Sequence, residues 1–335
     1  MPIAAPGRRC APVRAPPGSP GSAAEQAPGG PEPPGRPRGA PAPPGPTAPA
    51  PDARSAPWAG TVRPMSTRLC LLTVHAHPDD EAIGTGGILA RYAAEGVRTV
   101  LVTCTNGELG DAPGGLKPED AGHDSATVVP LRLRELEASC KILGVSHLEL
   151  LGYHDSGMEG WPQNDAPGSF WRTPVGEAAA RLVGLMRSYE PHVVVTYDEN
   201  GFYGHPDHIQ ANRVTLAAIA ACGIPSKLYY TAVARSRMRD FRDMMAGAGM
   251  DVGAVEDLPD VGTPDELITT TVDVAAVAAL KYASLAEHAS QSDNIFFLQM
   301  GEELFSQVMG TESFVRVMDT TNAPLPEDDL FAGLR

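Results

Sequence analysis

Short runs of apolar residues alternate along the chain with longer segments in which apolar residues recur every three or four positions. The short runs predict six β-strands, over residues 69–75, 99–105, 147–151, 192–196, 228–233 and 267–272. The longer segments predict helices over residues 84–95, 131–143, 175–189, 207–221 and 274–290, with less regular structure after them. Strands that alternate with helices indicate βαβ units. We therefore predict an α/β fold, a mostly parallel sheet with helices on both faces.

Residues 1–64 differ in composition from the rest of the chain. They hold 19 of the 33 prolines, with many Ala and Gly residues and almost no large apolar side chains. Such a segment cannot bury enough apolar surface to offset the entropy that it loses on ordering. We predict a disordered extension over residues 1–64 and a single domain over residues 65–335. The arginines of this segment also resemble those of a transit peptide, which is the alternative.

Charge is also unevenly distributed. The net charge is −15 at pH 7, and residues 1–64 contribute seven arginines against three acidic residues, so residues 65–335 carry −19. An acidic domain argues against nucleic acid as a partner, because phosphate binding needs clustered Lys and Arg. The sequence has no run of about 20 apolar residues, which argues against a transmembrane helix. Five cysteines without a C-x-x-C pair indicate a reduced, cytoplasmic protein. The oligomeric state is left open.

Two polar clusters follow predicted strands. "HAHPDDE" (residues 75–81) ends the first strand, and "YDENGFYGHPDH" (residues 197–208) follows the fourth. In open α/β sheets, ligands bind beyond the carboxyl ends of the strands, at the point where the strand order reverses. If the strand order is 3-2-1-4-5, these two loops are neighbours and form one pocket.

The first cluster carries acidic groups that would repel one another without a positive charge among them. His77 and Asp80 are three residues apart at a strand-to-helix turn, so both side chains can point to one place. With a second histidine they would form the three-ligand set of a catalytic zinc site, which keeps one position open for water. The second loop offers His205 and His208, and spacing does not choose between them. Asp79 lies between the two proposed ligands and can act as a general base.

Structural roles are the alternatives for several of these side chains. An aspartate pair before a helix commonly caps it, which would explain Asp79 and Asp80 without chemistry. The second H-P-D motif at an equivalent strand end favours the metal site instead. His75 is expected to be structural, and Glu81 either starts the helix or supports the site. A surface or structural role is expected for the remaining histidines: His123, His147, His154, His192 and His288.

Several motifs resemble those of one family. The stretches "HAHPDDEAIGTGGILARYAAEGVRTVLVTCTNGE", "RLRELEASCKILGV", "DSGM" and "VVVTYDENGFYGHPDH" are similar to the LmbE-like, or PIG-L, zinc-dependent N-acetylglucosaminyl deacetylases. Within that family they most resemble the actinobacterial mycothiol-pathway enzymes, and "SKLYY", "AEHASQ" and "DLFAGL" are similar to the mycothiol S-conjugate amidases. The resemblance implies a Rossmann-like fold and a hydrolase that removes an acetyl group from the amine of a glucosamine-containing small molecule.

The resemblance also implies roles for individual residues. It implies three zinc ligands: His77, Asp80 and His208. Asp79 would be the general base, and His205 and Tyr203 would stabilise the oxyanion that forms when water attacks the amide. Four further side chains would lie near the sugar: Arg132, Asp155, Glu108 and Asp111. For Arg132, an exposed charge on a helix is the alternative.

Other metals and other classes of protein compete with this hypothesis. The same ligands bind Fe²⁺ as well as Zn²⁺. A dinucleotide-binding protein would need a G-x-G-x-x-G turn after the first strand, but "GTGG" (residues 84–87) lacks that spacing. A non-catalytic metal- or carbohydrate-binding protein would have no use for a base at Asp79. Within the enzymes, we expect acetyl removal to exceed cleavage of a mycothiol S-conjugate, and deacetylation of an antibiotic intermediate is a further alternative.

Overall fold

The structure is a computed structural model that describes residues 68–247 and 262–335. These residues belong to one unit of the chain, Arg63–Arg335. The disordered extension predicted over residues 1–64 lies outside the described residues and stays a prediction.

A seven-stranded sheet forms the centre of the described part of the chain. Its strands are β1 (Cys70–His75), β2 (Arg98–Thr105), β3 (His147–Tyr153), β4 (Val193–Thr196), β5 (Lys227–Ala232), β6 (Thr270–Asp273) and β7 (Thr311–Asp319). Their order is β3-β2-β1-β4-β5-β7-β6. The first five are parallel, and β7 is antiparallel to both β5 and β6. The mostly parallel sheet and the order 3-2-1-4-5 are confirmed.

Helices flank this sheet. They are α1 (Asp80–Gly84), α2 (Gly86–Ala94), α3 (Ser125–Leu143), α4 (Val175–Tyr189), α5 (Gly201–Gly204), α6 (Pro206–Cys222), α7 (Arg235–Gly247), α8 (Ala278–Glu287), α9 (Ser292–Leu298) and α10 (Gly301–Met309). Among the described residues, none of the helices has the length and apolar character that a membrane span requires.

Both faces of the sheet are covered, as predicted. Side chains of β1 alternate between the two faces, because successive residues of a strand point to opposite sides. Leu72 and Val74 pack in one apolar cluster with residues of α4 and α6, whereas Leu71 packs in a second cluster with residues of α2. All six residues of β1 are buried, which is the burial expected of a central parallel strand.

The C-terminal part of the domain differs most from the prediction. The irregular structure expected there is wrong, because α9, α10 and the nine-residue strand β7 follow α8. The first predicted helix, residues 84–95, corresponds to α2, and the short α1, separated from it by Thr85, was not predicted. Helix α3 begins earlier than predicted, where the side chain of Asp124 accepts a hydrogen bond from the backbone N–H of Ala126. This helix also contains Pro130 in its interior.

The strand order reverses at β1, which lies between β2 and β4. The loops after β1 and β4 therefore lie side by side at one edge of the sheet. These are the two loops that carry the H-P-D motifs.

Candidate metal centre and active site

Both loops direct polar side chains towards the same region beyond the carboxyl ends of β1 and β4. After β1 the chain turns directly into α1, and Asp79 precedes the first residue of that helix. After β4 the short α5 leads into α6, whose first residue is Pro206, a residue well suited to that position. His205 and His208 therefore lie at the start of a long helix, which fixes their backbone.

His77, Asp80 and His208 converge. One carboxylate oxygen of Asp80, Oδ2, lies 3.3 Å from Nδ1 of His77, and the other, Oδ1, lies 3.4 Å from Nε2 of His208. The backbone N–H of His77 donates to Asp80 Oδ2 at 2.8 Å, so the carboxylate is held by its own loop. Two imidazoles and a carboxylate in this arrangement match a catalytic metal site with three protein ligands.

His208 gives a direct test of whether a metal fits. Its Nε2 atom is buried and has no hydrogen-bond partner among the described residues. Its ring is stacked on that of Tyr197, with 4.1 Å between the ring centres. Burial lowers the pKa of His208 to about 4, so the imidazole is neutral, the form that binds metals. An unpartnered buried nitrogen that points at a carboxylate is costly unless something positive binds there.

The charges around His77 point the same way. Burial lowers the pKa of His77, but the carboxylates of Asp155, Asp207 and Asp80 outweigh burial and hold that pKa well above its usual value. The site, with its many acidic groups, therefore attracts positive charge. A divalent cation would meet that demand.

Two other combinations of side chains in the site have the spacing of metal ligands, and Asp80 belongs to neither. One group is His77, His205 and His208, and another is His77, Asp155, His205 and Asp207, with ligand atoms within 4.8 Å of one another. In both, Nδ1 of His205 already accepts a hydrogen bond from the backbone N–H of Asp207. We favour Asp80 over His205 as the ligand because Asp80 lies between the two other nitrogens.

Asp207 is a site residue that the sequence reasoning missed. Its carboxylate is fully buried and lies 3.2 Å from Nε2 of His77. It also accepts hydrogen bonds from the backbone N–H and the hydroxyl of Ser156. A carboxylate that accepts one ring N–H of a histidine fixes the orientation of the ring and leaves the other nitrogen for a metal. The only sequence signal was its place between Pro206 and His208.

Asp79 lies beside this group and does not cap the helix that follows it. The alternative of a side-chain cap is wrong, because the Asp79 carboxylate makes no capping bond with α1. Instead, Oδ1 of Asp79 lies 3.0 Å from the guanidinium of Arg132. Burial raises the pKa of Asp79 to about 6, although Arg132 opposes that shift. A carboxylate with such a pKa can gain and lose a proton near neutral pH.

His205 and Tyr203 lie close to the proposed metal ligands. Nδ1 of His205 accepts a backbone hydrogen bond, so the proton of the neutral ring is on Nε2, which can donate. Burial, with His77 and His208, lowers the pKa of His205 to about 3. The ring of Tyr203 lies 5.1 Å from that of His208 and is half exposed. Both side chains line the same cavity.

The four residues assigned to the sugar are placed differently. Arg132 is buried, so the alternative of an exposed helix charge is wrong, and it donates to the carbonyl of Gly107. Asp155 and Asp111 line the cavity. Glu108 is not among the described residues that line it and instead lies 2.5 Å from Nδ1 of His154. Contact of these four with a substrate stays a prediction.

A cavity of about 670 Å³ contains the site. Its lining includes the three proposed metal ligands and Asp79. Another side is formed by apolar residues of the C-terminal part, among them Met238, Phe241, Phe297 and Met309. Small-molecule sites commonly combine such apolar walls with a few convergent polar groups.

A histidine and aspartate group beside a further buried aspartate, at the switch point of a parallel sheet, is typical of a metal-dependent hydrolase. Comparisons with known proteins agree. The sequence profile of the family GlcNAc-PI de-N-acetylase, PIG-L, matches residues 72–219. This chain belongs to the PIG-L family.

Two relatives are similar over nearly their whole length. One is the 1D-myo-inositol 2-acetamido-2-deoxy-alpha-D-glucopyranoside deacetylase of Acidothermus cellulolyticus, 43% identical over 281 residues, covering 79% of this chain and 94% of the relative. The other, of the same name, is from Geodermatophilus obscurus, 42% identical over 293 residues, covering 79% of this chain and 97% of the relative.

Among solved structures, the fold is similar to that of GalB, the 4-carboxy-2-hydroxymuconate hydratase of Pseudomonas putida KT2440. The TM-score is 0.51 at 20% sequence identity, and the match covers 77% of this chain and 99% of that chain. This likeness shows the fold alone. Since that protein is named a hydratase, the reaction of this chain has to be argued from its site.

Proposed function

We propose that this protein is a metal-dependent N-deacetylase that hydrolyses the acetamide of a glucosamine-containing small molecule. The observation that carries the proposal is the convergence of His77, Asp80 and His208 around an unpartnered buried nitrogen, with Asp79 alongside. The names of the relatives support a substrate in which N-acetylglucosamine is joined to inositol.

His77, Asp80 and His208 would hold the metal ion. When bound, a divalent cation supplies Lewis-acid chemistry, because it stabilises negative charge on a carbonyl oxygen and makes water more acidic. Zn²⁺ suits two imidazoles and one carboxylate, and Fe²⁺ is the alternative. Asp207 supports the ligand set by fixing the ring of His77.

Asp79 would move the proton. It accepts a proton from the attacking water and delivers it to the amine nitrogen as the C–N bond breaks, so acetate and a free amine are the products. Arg132 contacts Oδ1 of the carboxylate, and Oδ2 accepts a long hydrogen bond, 3.5 Å, from the side-chain amide of Asn294. Both Asp79 and Asn294 line the cavity.

His205 would donate a hydrogen bond through Nε2 to the oxygen on which negative charge develops. Tyr203 would add its hydroxyl from the exposed side of the cavity. A donor of this kind contributes about 3 to 4 kcal/mol to the stabilisation of the transition state in other enzymes. Neither residue needs to change its charge during the reaction.

A second candidate reaction is cleavage of a bulkier amide, as in a mycothiol S-conjugate. The observation that favours it is the apolar side of the cavity, formed in part by Met238, Phe241 and Phe297. An acetyl group alone leaves that surface uncovered. We rank it second because the relatives named above are deacetylases.

The proposal is tested by release of free amine from metal-loaded protein. The substrates are N-acetylglucosaminyl-inositol, free N-acetylglucosamine and a cysteinyl-amide conjugate of glucosaminyl-inositol. We expect the highest kcat/KM for the first, since that ratio reports differential binding of the transition state. A higher ratio for the conjugate would reverse the ranking, and no release from any of the three would refute the proposal.

The place of the protein in the cell is proposed from its composition. Each of the four cysteines in the described part of the chain is a free thiol, which supports a reducing, cytoplasmic compartment. We also propose that the catalytic domain is residues 65–335, with residues 1–64 outside it.

A further inference from the structure

Behind the catalytic aspartate lies a fully buried carboxylate, that of Glu81. It is the second residue of α1 and has no exposed surface. A buried carboxylate is costly unless each of its oxygens accepts hydrogen bonds. The reaction described above gives this carboxylate no role, because it is not among the described residues that line the cavity.

Each carboxylate oxygen of Glu81 has a hydrogen-bond partner among the described residues. Oε1 accepts hydrogen bonds from Nε2 of His288 at 2.7 Å and from the hydroxyl of Ser139 at 2.5 Å. Oε2 accepts the backbone N–H of Asp79 at 3.0 Å. Ser139 lies on α3, and His288 directly follows the last residue of α8. Two helices that are distant in sequence therefore hold one oxygen of the Glu81 carboxylate, and the other oxygen binds the backbone N–H of Asp79, the proposed general base.

The backbone that Glu81 holds is strained. Asp79 has φ 123° and ψ −28°, a conformation that residues other than glycine rarely adopt. Such a conformation is energetically unfavourable and persists only where surrounding contacts enforce it. The carbonyl of Asp79 is also held, since it accepts the N–H of Ala82 at 3.0 Å. The bond to Glu81 fixes the opposite side of the same residue.

We propose that Glu81, locked by His288 and Ser139, is a positioning residue for the general base. It holds the Asp79 backbone in the strained conformation and thereby aims the Asp79 carboxylate into the cavity. This inference rests on the proposed function, because it takes Asp79 as the base. It also gives His288 a task beyond the structural role expected from sequence: the C-terminal end of α8 supports the catalytic loop.

A purely structural alternative makes a different prediction. If the pair of Glu81 and His288 only docks α8 on α1, its loss lowers stability but leaves turnover by the folded enzyme unchanged. If Glu81 acts through Asp79, its loss lowers kcat in folded, metal-loaded protein. Misplacing a catalytic group by about 1 Å can cost about 10²-fold in rate.

The experiment compares three variants of the full chain at one temperature, well below their melting points. Glu81→Leu removes both acceptor oxygens at similar volume, and we expect kcat to fall about 10- to 100-fold with KM within about twofold. Glu81→Gln keeps an acceptor for the Asp79 N–H, and we expect it to recover most of that loss. Glu327→Leu, which removes another buried and paired carboxylate, is the matched control and should leave kcat unchanged. Metal content by elemental analysis should stay at about one ion per chain in all three.

The double variant Asp79→Asn/Glu81→Leu decides whether the effect passes through the base. We expect less than about a twofold loss relative to Asp79→Asn alone, because residues that act as a unit are not additive. An equal loss in both backgrounds, or an unchanged kcat in Glu81→Leu, would overturn the inference. If Glu81→Leu does not fold, His288→Asn answers the same question with a smaller expected loss.

A measurement that needs no turnover separates this inference from the proposed function. Hydrogen exchange at the Asp79 amide, followed in ¹⁵N-labelled protein, should be faster in Glu81→Leu than in wild type and unchanged in Glu327→Leu. An Asp79 amide equally protected in all three proteins would show that Glu81 does not hold it, whatever the substrate. Failure of the wild type to release amine would refute the proposed function but leave this exchange result standing.

Discussion

Two groups of buried charge occupy opposite parts of this domain, and they differ in how completely they are hydrogen-bonded. One surrounds Glu327 near the C-terminus, and the other surrounds the candidate metal ligands after β1 and β4. Both contain carboxylates with almost no exposure to solvent. Only the second contains ligand-type nitrogens left unpartnered within the described residues, Nδ1 and Nε2 of His208.

The group around Glu327 is fully paired. Its Oε1 atom accepts from Nζ of Lys227 at 2.6 Å and from Arg316 at 2.8 Å. Its Oε2 atom accepts from the hydroxyls of Tyr229 at 2.7 Å and Thr270 at 3.0 Å. These partners lie on β5, β6 and β7, so one carboxylate ties the C-terminal segment to three strands.

The contrast shows what separates a structural cluster from a functional one. Burial and charge are common to both, so neither identifies an active site. Unpaired ligand atoms, a carboxylate whose pKa burial raises to about 6 and a strained backbone are found together only around Asp79 and His208 within the described residues. Stability lost in this way is typical of sites that bind or react.

The largest effect should come from removing a metal ligand. His208→Ala should reduce the metal content from about one ion per chain to near zero and abolish turnover, since catalytic sites of this class have only three protein ligands. Elemental analysis after gel filtration measures the loss. His147→Ala, which changes an exposed histidine of β3, is the control and should keep its metal. Full metal content in His208→Ala would show that His208 does not bind the metal, and its unpartnered nitrogen would then no longer mark this cluster as functional.

The next largest effect should come from the base. Asp79→Asn should lower kcat by about 10² to 10⁴ while the metal content and the melting temperature stay near those of the wild type, because a general base acts only during reaction. Steady-state kinetics on metal-loaded protein checks this. Near-normal turnover would show that Asp79 has a structural role and not a catalytic one.

The paired cluster should respond in the opposite way. Lys227→Met leaves Glu327 buried with one charged partner fewer and should lower the free energy of unfolding by about 3 kcal/mol. Denaturant unfolding measures that change. The kcat of the folded variant should equal that of the wild type, and a loss of kcat at full metal content would show that the two clusters are coupled.

The smallest effect concerns the strain at Asp79. At ordinary positions glycine is less stable than alanine, but at φ 123° the order should reverse. We expect Asp79→Gly to be more stable than Asp79→Ala by about 1 kcal/mol, although both lack the base and are inactive. Melting curves of the two variants decide this. A more stable Asp79→Ala would mean that the loop relaxes without cost.

Sequence reasoning predicted the sheet correctly and proposed a ligand set whose members the fold brings together, because both depend on local patterns. Strands β1 and β4 are continuous runs of apolar and β-branched residues apart from the terminal His75, and their ends carry the two H-P-D motifs. The strand β7 was missed although "TESFVRVMD" is rich in β-branched and aromatic residues, because it enters the sheet between β5 and β6 and out of chain order. Position in the sheet is a tertiary property that no short window contains.

Asp207 and the partner of Glu81 were missed for a related reason, although a role in supporting the site was one of the two expected for Glu81. Asp207 was read only as part of a motif, and its contact with His77 joins residues 130 positions apart. The bond between Glu81 and His288 spans 207 positions. Such pairs become visible only when the fold brings α1, α6 and α8 together, since a lone histidine or glutamate in sequence is more often structural.

The proposed ligands come from segments separated in the chain by β2, β3 and β4, with His77 and Asp80 on one side and His208 on the other. No stretch of the growing polypeptide therefore contains the complete set, unlike a zinc finger, whose ligands are close in sequence. During synthesis the set of three ligands is therefore complete only after β4 has joined β1 and the first turn of α6 has formed. Maturation would then follow a fixed order, in which the apoprotein folds first and is supplied with metal afterwards.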